Sequence, residues 1–190
     1  MDSDHQYDDL LTRIRAHWRP SIFPPATEEQ VQETERQLGF PLPPLLRLLY
    51  TEIANGGFGP GEGIVGTPGG FRMTTPSLFD GPKLDIVQSY RREISEAQTL
   101  LHLEDYEEIP CTLNVWYNLG NVWEERAIQS YHYELPDHAW PTYMLPLCYH
   151  GCTCFTSIDA ISGRLFNERN ECVAASLEKW FENRLAGARM

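Results

Sequence analysis

The chain has 190 residues and a formal net charge of −12, and 42% of its residues are hydrophobic. This length and composition indicate one folded domain with a sizeable core and argue against a disordered protein. The acid excess repels phosphate backbones, so we expect no direct nucleic-acid binding, and no apolar run of about 18 residues is present to span a membrane.

An amphipathic helix is predicted in residues 1–20. Its apolar positions fall at helical spacing on one face: Tyr7, Leu10, Leu11, Ile14 and Trp18. Pro20 ends the pattern, because the residue before a proline is biased away from helical geometry. The acidic N-terminus lacks the basic-then-apolar order of a signal peptide, so we expect a cytoplasmic protein.

A pair of short helices is predicted in residues 27–57. Thr27 and Gln30 have the spacing of a capping box at the start of the first helix. Gly39 suits the left-handed conformation that ends a helix.

The second helix of this pair is predicted to begin at Pro43 and Pro44, where a missing amide hydrogen has no energetic consequence. Its apolar stripe comprises Leu42, Leu45, Leu46, Leu49 and Ile53. Asn55-Gly56-Gly57 is a strong turn signal and ends the helix.

A Gly- and Pro-rich segment, residues 58–82, is predicted to be a long surface loop with a short strand at Ile64-Val65. Its glycine spacing matches neither phosphate-loop fingerprint, because no Gly-Lys-Ser/Thr ends it and no clear strand precedes it. We therefore interpret the segment as a scaffold feature and not as a nucleotide cradle.

The longest helical pattern runs from Leu84 to Leu103, with apolar residues stepping by three and four. An acidic run with one tyrosine follows it: Glu104, Asp105, Tyr106, Glu107 and Glu108. Acids at a helix C-terminus oppose the helix dipole, so we place the run in the following loop. Two interpretations stay open, a solvated charge run and an acidic patch that contacts a protein partner.

Residues 109–167 are predicted to be rich in strands. Residues 112–117 alternate as a strand does, and short strands separated by turn residues recur after them. Because no helices are interleaved, this spacing favours an antiparallel meander. Residues 174–187 are predicted to be a C-terminal helix with Ser176 as its N-cap. Its apolar face comprises Leu177, Trp180, Phe181 and Leu185.

The chain has five cysteines, an odd number, and we interpret them as free thiols. Three of the cysteines cluster around His150: Cys148, Cys152 and Cys154. Three thiols and one imidazole are the ligand types of a zinc site. Structural zinc sites usually gather two ligand pairs separated by a longer loop, and no second pair accompanies this cluster. Core thiols are the simpler interpretation, because cysteine is among the most buried residue types. We therefore predict no metal and no cofactor.

No catalytic motif stands above background. The serines lack the Gly-x-Ser-x-Gly elbow, and the histidines lack His-Glu-x-x-His spacing. Cys148 and His150 lie two apart on a predicted strand, hence on one face, where a thiolate–imidazole pair can form. We expect a non-enzymatic protein, and an enzyme that depends on the Cys148–Cys154 cluster or on a metal there stays as an alternative.

Aromatic residues cluster in the strand-rich half: Trp116, Tyr117, Trp123, Tyr131, Tyr133, Trp140 and Tyr143. Sheet packing is one interpretation, because aromatic residues are strand formers. In the other, some of them, such as Trp116 and Trp123, line a sheet face with an acidic rim, which would suit a basic protein partner. That rim comprises Glu124, Glu125, Glu134 and Asp137. Trp18, Trp180 and Phe181 lie on helical apolar stripes and are expected in the core.

Two groups of motifs together resemble a known family. The first group comprises Leu38-Gly39, Pro41-Leu42-Pro43 and Asn55-Gly56-Gly57. The second comprises Leu145-Pro146-Leu147, Ile158-Asp159, Gly163-Arg164-Leu165-Phe166 and the final helix. This ordered set resembles the SMI1/KNR4 family of the SUKH superfamily, whereas residues 59–70 and 116–123 have no firm counterpart. The resemblance implies an α+β fold with a single, mostly antiparallel sheet and helices packed on one side, in one domain over residues 1–190.

The resemblance also implies a protein-binding module, since bacterial members look like immunity proteins that neutralise a cognate toxin by direct binding. Toxin domains that act on nucleic acid are often basic, and a charge of −12 would steer a basic partner towards the chain. Fungal relatives are instead regulators, so a regulatory or scaffold protein without a toxin partner is the alternative.

Overall fold

Five α-helices, one π-helical turn and eight short strands make up the described part of the chain. The computed structural model describes residues 6–74, 82–101, 112–118, 123–129, 143–151, 154–168 and 171–187, of which 95–101, 112–118 and 123–129 are described by their backbone. The α+β class expected from the sequence is confirmed, and the described strands pair antiparallel. No helix in this part of the chain is both long and apolar enough to cross a bilayer.

The first helix, α1 (Asp8–His17), packs on the last helix, α5 (Leu177–Leu185). The predicted apolar face of α1 is confirmed, with Leu10, Leu11 and Ile14 buried. Trp18, just beyond the end of α1, meets Phe181 of α5 edge-on, with 5.5 Å between the ring centroids. Aromatic packing therefore holds the N-terminal and C-terminal helices together.

The predicted capping box starts α2 (Glu28–Leu38). The amide of Gln30 donates to Oγ1 of Thr27 at 3.3 Å, and the amide of Thr27 donates to Oε1 of Gln30 at 2.8 Å. Two amides that the first turn of a helix leaves unpaired are thereby satisfied. Gly39 ends α2 with a φ of 84°, the left-handed conformation predicted for it.

The second helix of the pair begins where predicted but changes type along its length. The short helix α3 (Pro44–Leu48) runs directly into a π-helical turn (Leu49–Ile53), which closes where the amide of Ala54 donates to the carbonyl of Leu49 at 3.2 Å. The wider turn inserts one residue into the helical spacing. The neighbouring side chains of Leu49 and Tyr50, in this turn, are both fully buried.

A carboxylate links the two helices at their corner. Glu35 of α2 accepts the amide of Leu42 at 2.8 Å and pairs with Arg47 of α3. Arg47 also pairs with Glu28 at the start of α2. The corner therefore has its free amide and its charges satisfied by side chains from both helices.

The middle of the glycine-rich segment is interior, which corrects the expectation of a surface loop for that part. Residues 63–67 are buried. Ile64 forms an isolated antiparallel bridge with Cys148, and the amide of Val65 donates to the carbonyl of Leu147 at 2.8 Å. The short strand expected at these two residues is thus reduced to a single bridge, and the carbonyl of Val65 accepts the hydroxyl of Tyr50 at 2.8 Å.

Asn55 explains why this segment needs glycines. Its carboxamide oxygen accepts the amide of Thr67 at 2.8 Å and the Thr67 hydroxyl at 3.1 Å, and its carbonyl accepts the amide of Phe71 at 2.9 Å. A Cβ at Gly66 or Gly70 would collide with that carbonyl oxygen. The Asn-Gly-Gly motif therefore ends a helix and also holds the following segment against the core.

The long predicted helix is confirmed as α4 (Ile86–Leu101). It starts with a second reciprocal cap, in which the amide of Gln88 donates to Oδ1 of Asp85 at 3.0 Å and the amide of Asp85 donates to Oε1 of Gln88 at 3.3 Å. The residues before the cap belong to a two-stranded ladder of β1 (Met73–Thr74) with β2 (Lys83–Leu84). The helix therefore begins later than the pattern predicts, because this ladder already uses Leu84.

The remaining strands form a hairpin and a four-stranded sheet. The hairpin pairs β3 (Thr112–Asn118) with β4 (Trp123–Gln129). The sheet has the order β5 (Met144–Gly151), β6 (Cys154–Asp159), β7 (Leu165–Asn167) and β8 (Cys172–Ala174). The expected meander is confirmed in this sheet, and β8 adds a strand that the sequence pattern does not indicate. The described pairings thus form three antiparallel sheets, of two, two and four strands.

The core lies between the sheet and the helices. A row of buried residues crosses the four strands in register: Leu145, Ile158, Leu165 and Ala174. Helix α5 starts as predicted, with Oγ of Ser176 accepting the amide of Lys179 at 3.2 Å. It contributes Trp180 and Phe181, both fully buried, to the same core, as the sequence predicts.

Candidate functional site

Four of the residues predicted to contact a partner lie on the β3–β4 hairpin. In the ladder, Trp116 is opposite Glu125, Tyr117 is opposite Glu124, and Asn118 is opposite Trp123. Trp116, Trp123 and Glu125 therefore belong to one of the two alternating sets of ladder positions. The hairpin brings two tryptophans and two glutamates of the predicted interface together at one end of the ladder.

The other predicted contact residues lie outside the described residues: Glu104, Asp105, Tyr106, Glu107, Glu108, Glu134 and Asp137. Their part in an interface stays a prediction. Of the clustered aromatic residues, Tyr143 packs inwards, because its ring meets Phe40 with 5.3 Å between the centroids. Tyr143 therefore packs against the core, at the corner between α2 and α3.

The predicted pair of Cys148 and His150 on β5 is in contact. Sγ of Cys148 lies 3.3 Å from Nε2 of His150, and the same nitrogen lies 2.9 Å from Oγ1 of Thr156 on β6. Cys148 is fully buried and His150 is half-buried. The imidazole thus bridges two polar groups of neighbouring strands.

The protonation states of this pair do not favour nucleophilic chemistry. Burial raises the pKa of the Cys148 thiol to about 12, so the thiol keeps its proton at neutral pH. Burial also lowers the pKa of His150, and nearby Arg184 adds to that effect, so the imidazole is neutral. A nucleophilic cysteine needs its thiolate form. This geometry supports the interpretation of Cys148 as a core thiol.

The cysteine cluster is described only in part. Cys148, Cys154 and Cys172 are reduced thiols, as expected, whereas Cys152 lies outside the described residues. Within the described ranges, no three or more His, Cys, Asp or Glu side chains are grouped so that they could hold a metal ion.

A groove of about 270 Å³ lies beside the end of α1 and the connector that follows it. We call it the Trp18 groove, and its lining includes Ile14, Arg15, Trp18, Arg19, Ile53 and Phe58. Ile14 and Phe58 are buried beneath it, whereas Trp18 is half-buried. The sequence places Trp18 in the core, but the structure gives this residue two roles, one against Phe181 and one at the groove.

A second groove, of about 210 Å³, lies where three of the predicted motifs meet: the start of α3, the turn between β6 and β7, and the start of α5. Asp159 orders this turn by accepting the amides of Ile161 at 2.9 Å and Ser162 at 3.3 Å. Because the turn is fixed in this way, the side chain of Ile161 is left 41% exposed. The Asp159 of the Ile158-Asp159 motif therefore serves to order the turn that leads through Gly163 into β7.

These features define an α+β domain with an antiparallel meander, a separate hairpin and two surface grooves. The chain belongs to the SMI1/KNR4 family (SUKH-1), whose family model matches residues 25–183. The resemblance found in the sequence is thereby confirmed over most of the chain. Membership is consistent with an immunity-type or SMI1-like protein and suggests a protein partner. The chain has no significant match among curated proteins or among solved structures.

Proposed function

We propose that the protein is a non-enzymatic, cytoplasmic binding module of the immunity type, which neutralises a cognate basic toxin by direct contact. The observation that carries this proposal is the β3–β4 hairpin, where tryptophans and glutamates of the strand-rich half meet in register. Family membership supports the class of function, and the hairpin supports the place of contact.

The charge of the chain supports a basic partner. A net charge of −12 raises the rate at which a positively charged protein meets this one, and it disfavours acidic competitors. At physiological ionic strength the screening length is about 8 Å, so carboxylates close to the contact matter most for the bound state. Acidic residues on the hairpin should therefore stabilise the bound basic partner more than acidic residues spread over the rest of the surface.

The hairpin also supplies anchors. A few residues carry most of the energy of a protein interface, and tryptophan is the most enriched among them. Trp116 and Glu125 are directly opposite each other in the register, so one ladder position combines the two residue types that bind a lysine or arginine best. That combination suits a cationic surface better than an apolar or acidic one.

An affinity pull-down of the tagged protein from lysate of its native host tests the proposal. We expect one basic protein, recovered in stoichiometric amount at low salt and depleted at high salt. The recovered protein should have a toxic activity that equimolar binder abolishes. Recovery of no stoichiometric partner at low salt, or of an acidic partner that is insensitive to salt, would contradict the proposal.

A hairpin variant then tests the place of contact. Trp116→Ala combined with Trp123→Ala should raise the Kd for the recovered partner by about 30-fold or more, because the loss of even one hot-spot residue costs roughly 2 kcal/mol. Isothermal titration calorimetry gives the Kd. Ile161→Ser, which removes an exposed apolar side chain from the turn between β6 and β7, is the control and should leave the Kd unchanged. Equal Kd values for the hairpin variant and the wild type would show that the partner binds elsewhere.

A further inference from the structure

We propose that the Trp18 groove is a second docking site, which binds a short protein segment carrying a large apolar side chain next to a carboxylate. This site requires the opposite charge from the partner proposed for the hairpin. It is therefore independent of the immunity function, and either proposal can fail without the other.

The floor of the groove is apolar and preformed. Ile14 and Phe58 beneath it are only 1% and 4% exposed, and Ile53 on its wall is half-buried. Trp18 is held from behind by Phe181, so its position does not depend on a ligand. A volume of about 270 Å³ is room for a large apolar side chain. Preformed apolar walls lower the entropic cost of binding such a side chain.

The connector beside the groove presents a large apolar residue to solvent. Ile22 is 91% exposed and directly follows Ser21, which lines the groove. Backbone hydrogen bonds fix this connector, because the amide of Asn55 donates to the carbonyl of Pro24 at 3.0 Å and the amide of Ala26 donates to that of Tyr50 at 2.8 Å. Ile22 is therefore an exposed apolar residue next to the groove, where a segment longer than its anchor side chain could cover it.

The charges at the groove select the partner. Arg15 is neutralised by Glu52, since its guanidinium donates to the Glu52 carboxylate at 3.2 Å and to the Glu52 carbonyl at 3.0 Å. Arg19 is exposed and has no hydrogen bond or ion pair to the described residues. The lining of the groove is thus positive in a chain whose net charge is −12. A carboxylate beside the apolar anchor would pair with Arg19, whereas a lysine there would be repelled.

A peptide array provides the first test. Each hexapeptide has two identical central residues, which are Leu, Ile, Phe, Met or Trp. The two residues on either side of this pair are all Asp, all Ser or all Lys. The array is probed with the full-length protein. We expect retention on the Asp-flanked peptides above the Ser-flanked ones. Lys-flanked peptides can bind the acidic surface elsewhere, so any retention of them should not change when the groove is substituted. The best Asp-flanked peptide is then labelled with fluorescein, and its Kd is measured by fluorescence polarisation.

Two exposed substitutions locate the binding on the protein without disturbing its fold. Arg19→Glu should weaken the best peptide by about three- to tenfold, in line with the modest strength of exposed ion pairs and the added repulsion. Ile22→Ser should weaken it by about tenfold through lost apolar burial. The matched controls are Arg164→Glu and Ile161→Ser, at exposed positions outside this groove, and both should bind as the wild type does.

Three outcomes would overturn the proposal. One is an array that retains no Asp-flanked peptide or that retains Ser-flanked peptides as strongly as Asp-flanked ones. Another is equal binding by Arg19→Glu, Ile22→Ser and their controls. The third is a concentration-dependent dimer, measured by light scattering, that Ile22→Ser converts to monomer. This last result would show that a second copy of the chain covers the groove.

Discussion

The side chain and the backbone carbonyl of Asn55 connect the chain just after the π-helical turn to two positions of the glycine-rich segment, Thr67 and Phe71. Asn55 is 4% exposed, and its acceptors take the amide and hydroxyl of Thr67 and the amide of Phe71. Thr67 is fully buried, so its amide and hydroxyl are donors that water does not reach. A buried donor that loses its acceptor is penalised by its full desolvation energy.

We therefore expect Asn55→Ala to lower the free energy of unfolding by about 1–3 kcal/mol, because the Thr67 amide would be left unpaired in the interior. Urea denaturation followed by circular dichroism gives the value. Asn183→Ala, on the half-buried part of α5, is the matched control and should change stability by less than about 0.5 kcal/mol. Similar values for the two variants would show that the Asn55 bonds do not stabilise the segment.

The thiol of Cys148 gives a second expectation at this scale. Its pKa of about 12 in the folded protein lies above its ordinary value of 9.0, so the unfolded state loses this proton first as pH rises. Its contribution to stability is therefore fully present below pH 9 and declines between pH 9 and 12. At pH 8 iodoacetamide should modify exposed Cys172 and leave Cys148 unmodified until urea unfolds the chain. Peptide mass spectrometry measures both sites, and early modification of Cys148 would contradict this account of its burial.

Helix ends are the elements that the sequence predicts best, because their signals are local. Thr27, Gln30 and Gly39 act within a few residues of one another, so their spacing alone predicts the start and end of α2. Ser176 predicts the start of α5 for the same reason. Each of these residues satisfies backbone groups of its own helix and needs no distant partner.

Thr27→Ala should accordingly lower the free energy of unfolding by about 1 kcal/mol, since it removes one half of the capping box. The control is Thr12→Ala in the exposed part of α1, where the hydroxyl only bonds the carbonyl of Asp8. Alanine is a better helix former than threonine, so the control should be neutral or slightly stabilising. Chemical denaturation of both variants decides the matter, and a larger loss at position 12 would count against the cap.

Elements that depend on distant residues are predicted poorly. Glycine density suggests a solvent-exposed loop, yet Ile64 and Val65 are buried because β5 pairs with them. The three residues of β8 are too few to show an alternation of their own, and they form a strand because β7 offers an edge. The same limit applies to the Trp18 groove. Its floor comes from α1, the π-helical turn and Phe58, and an exposed isoleucine after Ser21 is the single local signal for it.

At the scale of the whole molecule, charge bears on the rate of association more than on the fold. The run Glu104, Asp105, Glu107 and Glu108 carries four of the 27 acids in the chain. Closely spaced like charges create a local field that attracts a basic partner before contact. Their effect should therefore appear in the association rate and in its dependence on salt.

Replacing Glu104, Asp105, Glu107 and Glu108 by their amides should slow association with the recovered partner by about tenfold at low salt and flatten the salt dependence. Stopped-flow or surface plasmon resonance measurements at several salt concentrations give both quantities. The control removes the same amount of charge by replacing four exposed, dispersed acids with their amides: Glu29, Glu62, Glu168 and Glu182. Equal slowing in the control would assign the effect to net charge, and unchanged rates in both variants would remove steering from the mechanism.

The bridge from the glycine-rich segment to β5 also affects the order in which the chain folds during synthesis. Ile64 and Val65 leave the ribosome long before Leu147 and Cys148. The glycine-rich segment is therefore synthesised well before the strand with which it pairs. Contacts between distant residues form late, because closing a long loop is entropically unfavourable. Glycine has low strand propensity, so the unpaired glycine-rich segment is a poor template for strand pairing with other chains. We therefore expect the glycines that allow close packing in the finished protein to lower the aggregation of the nascent chain as well.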